Sequence, residues 1–384
     1  MSLLRSPLST AAVASLAIAP SMLLAQTSTP ADTAKPAPAT TVQLPPIDFS
    51  GVLFGNFQYR GDKAAKGQNK FDVERTYLTF KMPAGDRASI RVTTDIYQQT
   101  SSTNNADAYY KGWAVRLKYA YANYTFLKSD DLKIDGRVGI VQTAVIDQVE
   151  QFWPRYISQT AVERAGFFSS ADMGAASFVA LPNKMGELYV GVANGPGYAS
   201  REVDRFKDYS TRLSITPLAN NSDAGLLKNL TLLGYYYKGT LASSITGVGN
   251  GLKRDRWGVF AGIKDPRLTI GGDFDQRMDE KDAGVDQASR VVSDSTLRLA
   301  SIFALVKPFQ LMDKNGLPLG LIARYDHVKP NTATDPSYFI FIGGLTWDLN
   351  KKFQFALDYQ EQTPRNGATV TPTKTYFAHW IANF

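Results

Sequence analysis

From Ile47 onward the chain is built of segments of about ten to fourteen residues in which apolar or aromatic side chains alternate with polar or small ones, divided by turn-forming residues. Successive residues of a strand point to opposite faces, so each segment owns one apolar face. Phe49, Leu53, Phe57 and Tyr59 share such a face, with Ser50, Asn56, Gln58 and Arg60 behind them. Trp113, Val115, Leu117, Tyr119 and Tyr121 oppose Arg116 and Lys118, and Tyr209, Leu213 and Ile215 oppose Asp208, Ser210, Arg212 and Ser214. Segments 71–82 and 338–349 carry apolar residues in both phases, which leaves their orientation open. Strands of soluble sheets average about five or six residues, whereas a strand crossing a bilayer at a tilt needs about nine to eleven. The segments match the second length. Lipid offers nothing to an unpaired backbone amide, so a sheet there must close on itself; the expectation is an all-β, closed antiparallel transmembrane β-barrel.

The connections sharpen this. Short ones at 83–86, 128–131, 183–185, 265–266 and 350–351, with two longer turns at 218–228 and 308–316, alternate with polar loops at 61–69, 100–112, 145–170, 195–207, 241–254, 278–292, 329–336 and 363–372. Barrels of bacterial outer membranes alternate short periplasmic turns with long outer loops and have even strand numbers, which sets the count at about sixteen. Tyr376, Trp380 and Phe384 fall in one phase of the final segment, and a last strand ending in Phe resembles the assembly signal of outer-membrane proteins, a contact for the barrel-assembly machinery.

Residues 1–25, with Arg5 and an apolar run from Ala11 to Leu24, read as a signal peptide, and residues 26–46 as a Pro/Ala/Thr-rich periplasmic linker ahead of a barrel at 47–384. The 384 residues contain no cysteine, which excludes a disulfide framework, a thiolate metal site and an acylated anchor. After the leader no stretch approaches the roughly twenty apolar residues of a membrane helix. The net charge of +7 is spread without a basic cluster or recognition helix, so no nucleic acid partner is expected. Neither of the two histidines, His327 and His379, has a nucleophile motif or a second ligand at metal spacing. No catalysis, metal or cofactor is expected.

If the face opposite the apolar one lines the lumen, the pore-lining basic residues are Arg60, Arg91, Arg116, Lys118, Lys133, Arg137, Arg212, Arg256, Lys264, Arg298 and Arg324, against fewer acids, Asp95, Asp135, Asp273, Asp275 and Asp326. A positive wall concentrates anions; the alternative is that these charges pair and only brace the wall. The longest loop, 145–170, is the candidate constriction, with Glu150, Trp153, Arg155, Tyr156, Glu163 and Arg164. Tyr119, Tyr121, Tyr235, Tyr236 and Tyr237 read mainly as girdle residues at the membrane interfaces, with an aromatic slide for sugars as the alternative.

Four stretches carry a resemblance: Phe71 to Phe80 (FDVERTYLTF), Gly139 to Gln142 followed by Val162 to Ala165, Leu188 to Gly195 (LYVGVANG), and the aromatic terminus. In this order and spacing the chain resembles the phosphate-selective porin O and P family. Membership would imply a sixteen-stranded, usually trimeric barrel in the outer membrane of a Gram-negative-type bacterium, in contact with lipid and lipopolysaccharide, with an inward-folded third loop and basic residues along a pore for small anionic solutes. Where that family's second strand often has adjacent arginines, this chain has Glu74-Arg75. A general, unselective diffusion porin and a plugged structural or adhesin barrel are the other functions this fold would serve. The loop pattern makes a prediction: protease sites or tags placed in 100–112 and 278–292 are accessible on intact cells, whereas 128–131 is protected. The reverse pattern would mean an inverted or miscounted barrel.

Overall fold

The computed structural model describes residues 46–98, 112–245, 248–284 and 286–384. The leader, nearly all of the linker and most of the 100–112 loop lie outside them. Among the described residues there are sixteen strands: β1 (Asp48–Arg60), β2 (Asn69–Pro83), β3 (Ala88–Gln98), β4 (Trp113–Lys128), β5 (Lys133–Gln142), β6 (Ala171–Ala180), β7 (Gly186–Ala193), β8 (Asp208–Ile215), β9 (Leu230–Leu241), β10 (Leu252–Asp265), β11 (Leu268–Ala283), β12 (Val291–Val306), β13 (Leu319–Lys329), β14 (Ser337–Asp348), β15 (Phe353–Arg365) and β16 (Thr373–Asn383). Each pairs antiparallel with its sequence neighbours, and β16 returns to β1, so the sheet is a closed barrel. Long and short connections fall at opposite ends, as the sequence pattern predicts. The longest, here L3 (143–170), holds two single-turn helices, α1 (Ile146–Val149) and α2 (Ala161–Arg164); α3 (Pro308–Met312) lies in a turn at the other end.

Closure is made at the C-terminus. Gly51 and Phe384 exchange backbone hydrogen bonds of 2.8 and 3.0 Å, and the Phe384 ring covers the face of Gly51 so closely that a Cβ there would lie 2.2 Å from it. Trp380 covers Gly55 in the same way, and Tyr376 packs between Tyr59 and Tyr359. All three terminal aromatics therefore sit on the outward surface and stitch the seam.

Most strands hold one phase, but three β-bulges interrupt the ladder, one at Phe126 near the end of β4 and two that set the faces of β2 and β4. In β2, Phe54 faces Arg75 while Gly55 faces Val73, leaving Glu74 as the extra residue. Phe71 and Val73 point out before it, Leu78, Phe80 and Met82 after it, and this resolves the two-phase pattern of that segment. In β4, Thr93 faces Tyr119 while Thr94 faces Leu117, so Lys118 is the extra residue. Val115 is 65% exposed on the outer surface, yet Tyr119 is 4% exposed and Tyr121 9%, turned inward. The expected outward face of β4 is thus corrected beyond Lys118, where Tyr124 and Phe126 take over the outer surface.

One side of the interior carries an apolar cluster. Leu233, Phe260, Leu297, Leu299, Phe303, Ile322, Ile340 and Ile342 of β9–β14 project inward and meet Phe152, Trp153, Ile157, Val162 and Phe168 of L3 in one buried cluster. Phe152 packs on Phe260 at 4.9 Å and Trp153 edge-on to Phe303 at 5.4 Å between ring centroids. This is why 338–349 is apolar in both phases: one face meets lipid, the other meets L3. Arg298 is a correction for the same reason. The inward phase of β12 is Leu297, Leu299 and Phe303, so Arg298 lies on the exposed outer surface, where it donates to Gln276 at 3.1 Å.

Deleting Phe384 removes the seam contacts over Gly51, and the yield of heat-modifiable barrel on gels is expected to fall severalfold, whereas Phe384→Tyr retains it. A normal yield from the deletion would show that closure does not need the terminal ring.

Candidate functional site: the barrel interior

L3 is held across the interior by polar contacts as well as by its apolar face. Arg277 of β11 donates to the carbonyls of Ala165 (3.1 Å) and Gly166 (2.7 Å) at the end of α2. Arg324 donates to Gln159 O at 2.6 Å and stacks on the Trp153 ring at 4.7 Å, Gln360 reaches Ile157 O at 3.1 Å, and Lys264 reaches Gln151 O. On the opposite wall Tyr119 donates to Asp147 at 2.7 Å and Arg212 to Ala144 O at 2.8 Å. Apart from Tyr119, which meets a carboxylate, these donors satisfy loop carbonyls that the barrel would otherwise leave unpaired in a confined space.

Within L3, Arg155 is held between two carboxylates, Glu150 and Glu163, each at 3.2 Å. Tyr156 turns toward His379 of β16, and Arg164 is half-buried on α2. Burial pushes the Glu150 carboxyl up to about 7 despite the nearby Lys118 and Arg155 cations.

The inward cations fall into two groups. In the first, carboxylates neutralise the charge: Arg60 with Asp62 at 2.7 Å, Lys133 with Asp135 at 2.5 Å, Arg212 with Glu187, Arg256 with Asp279 at 3.4 Å and Arg324 with Asp326 at 2.7 Å. Arg116 binds Asp95 at 2.8 Å, a carboxylate that also lies 3.5 Å from Arg75 and accepts from Tyr198. In the second group, among the described residues no carboxylate pairs with the cation. Arg91 lies 4.6 Å over the Tyr119 ring, Lys118 4.3 Å over Tyr77, and Arg137 3.9 Å over Phe178 and 5.1 Å over Tyr121. A ring face attracts a cation without cancelling its charge. Lys264, bound to a loop carbonyl, also lacks a carboxylate partner among the described residues.

The expected girdle is corrected here as well. Tyr119, Tyr121, Tyr235 and Tyr237 point inward, and of the five only Tyr236 is on the exposed outer surface. Tyr235 donates to the buried Asp275 at 2.7 Å; Asp273, Asp95, Asp135 and Asp326 are also inward and buried. His327 points outward and stacks on Phe339, away from Asp326, while His379 lies 3.0 Å from Asp358 in the inner wall. Sequence periodicity missed Arg75, Tyr77, Tyr198 and Arg277. For the first two the signal was present, since the apolar phase of β2 flips at Glu74; for Tyr198 and Arg277 no local pattern marks the contact.

Space remains between L3 and the inner wall of β1–β4. One cavity of about 640 Å³ is lined by Asp72, Glu74, Arg75, Tyr97, Arg116 and Gln159, and another of about 540 Å³ by Tyr77, Arg91, Lys118, Tyr119, Asp147 and Glu150; Phe54 and Arg155 border both.

No protein-family model and no curated protein matches the chain. Solved structures do match its fold. The anion-selective porin from Comamonas acidovorans superposes with a TM-score of 0.61 at 11% identity, over 88% of this chain and 99% of that one. The channel DcaP of Acinetobacter baumannii gives 0.59 at 11% identity (88% and 97%), and Salmonella typhi OmpF in complex with daunomycin 0.58 at 12% (88% and 97%). The chain has the fold of the outer-membrane porins. At these identities the likeness is one of fold alone, and the resemblance to the phosphate-selective O and P group rests on the four sequence stretches.

Glu150 gives the interior a titration near neutral pH. Its carboxyl is neutral below about 7 and negative above, beside Lys118, Arg155, Asp147 and Glu163. Preference for anions is therefore expected to fall as pH rises from 6 to 8 in bilayer reversal-potential measurements, and Glu150→Gln is expected to flatten that dependence. An identical pH profile in the variant would assign the titration to another group.

Proposed function

We propose that the chain is an outer-membrane diffusion channel of a Gram-negative-type bacterium that favours small anions. One observation carries this reading: Arg91, Lys118 and Arg137 line the side of the barrel that L3 leaves open, and aromatic rings rather than carboxylates hold them. Arg91 and Arg137 are half-buried and keep their charge available to a passing solute, with Lys118 buried behind them at 5% exposure, and a pore selects by such wall charge and by binding weak enough for the solute to leave. The fold shared with a porin named as anion-selective agrees with this. Phosphate is one candidate solute, on the strength of the sequence resemblance. The trimeric assembly, the contacts with lipopolysaccharide and the recognition of Tyr376, Trp380 and Phe384 by the assembly machinery belong to the same proposal.

A general, unselective porin is the second reading. It is favoured by the carboxylate pairing of Arg60, Lys133, Arg212, Arg256 and Arg324 and by the two acids around Arg155. A plugged adhesin barrel is opposed by the two cavities beside L3.

The ring-held cations separate the first two readings. Changing Arg91, Lys118 and Arg137 together to Gln is expected to lower the anion-to-cation permeability ratio by roughly threefold at low salt and by less at high salt, where screening is stronger. Arg116 is left in place because it also holds Asp95. An unchanged reversal potential at both salt levels, in variants that still form folded barrels, would leave the general porin.

A further inference from the structure

The cavity below Arg155 differs from what an inorganic oxyanion needs. Phe54, Tyr77, Tyr119 and Tyr156 supply much of its wall, with Pro154 and Ile381 beside them. Phe54 and Tyr77 lie at a ring-centroid distance of 5.9 Å, so together they offer a continuous aromatic surface. At about 540 Å³ the space has the size typical of small-molecule pockets, which are mostly apolar with a few placed polar groups.

Its charge is equally restrictive. Three cations, Arg91, Lys118 and Arg155, face two carboxylates, Asp147 and Glu150. Arg155 is already held by Glu150 and Glu163, and Tyr119 donates to Asp147. Lys118 lies in the field of Asp147 and Glu150, so the one positive charge left over is that of the ring-stacked Arg91, which has no carboxylate partner among the described residues. A dianion or trianion would bring its extra charge toward Asp147 and Glu150 with no further cation in the lining to meet it. A single carboxylate would match the surplus charge at Arg91 and leave the rest of the molecule against the rings. We propose that this cavity is a transit site for monocarboxylates with a flat apolar body, the carboxylate meeting Arg91 and the body lying against Phe54, Tyr77 and Tyr156. This rests on the reading of the barrel as an open channel and names the solute class that the channel holds best.

The test uses the full-length protein in planar bilayers at pH 7, with block of the chloride current by benzoate, acetate, inorganic phosphate and benzyl alcohol. Benzoate is expected to reach half-block at a concentration at least about tenfold below that of acetate, the difference reading the stacked body, and below that of phosphate; benzyl alcohol, with the body but no charge, is expected not to block. Tyr77→Ala is expected to remove the benzoate advantage and Tyr77→Phe to keep it. The comparison of blockers on the unaltered protein stands even if Tyr77→Ala does not fold. Equal block by benzoate and acetate, tighter block by phosphate, or block by benzyl alcohol matching benzoate would each overturn the site. The channel reading is judged separately by the reversal potential in a chloride gradient. An anion-selective current with no benzoate preference removes only this proposal, and folded barrels that pass no current remove both.

Discussion

A strand in lipid has no solvent to satisfy its edge, and closure between β16 and β1 is the constraint from which the rest of this structure follows. Once sixteen strands close, the interior is a fixed space walled on every side by the inward residues of known neighbours. Anything within it must either be filled by the protein or be left to water and solute. The chain does both: L3 fills one side and the wall of β1–β5 faces what remains.

The division is a matter of packing chemistry. Against β9–β14 Leu, Ile and Phe of the inward face meet Phe152, Trp153, Ile157, Val162 and Phe168 of L3, beside a buried charged row of Arg256, Asp273, Asp275, Arg324 and Asp326. Arg277, Arg324, Gln360 and Lys264 then cap loop carbonyls at the margins. On the open side the wall carries cations and tyrosines instead. Two bulges create that surface: one admits Glu74 and Arg75 together, the other turns Tyr119 and Tyr121 inward beneath Arg91 and Lys118. Loop anchoring draws on both halves, since Tyr119 and Arg212 also hold L3 from the side of the cations.

Pairing decides how much of the formal positive charge a solute meets. Counting inward arginines and lysines overstates it, because Arg60, Lys133, Arg212, Arg256 and Arg324 have carboxylate partners. Stacking on rings, which holds Arg91, Lys118 and Arg137, orients a cation without cancelling it, although Lys118 also lies in the field of Asp147 and Glu150. Glu150, buried against Lys118 and Arg155, adds a charge that depends on pH near 7.

The period-two pattern, the alternating connection lengths and the aromatic terminus determined the barrel, its strand number and the ends at which its loops fall, because each is a local property that lipid and closure translate directly into architecture. The outward faces of β1 and β8 and the inward placement of Arg116, Arg137, Arg212 and Arg324 were legible in the same way. Only the tertiary structure decided the rest. A one-residue bulge exchanges the faces of everything beyond it, which moved Tyr119 and Tyr121 inward, and an apolar inner wall reverses the usual rule for which face meets lipid, which moved Arg298 out. The partners of Arg116, Arg155 and Arg324 lie across strands or in a distant loop, where spacing along the chain carries no information about distance in space.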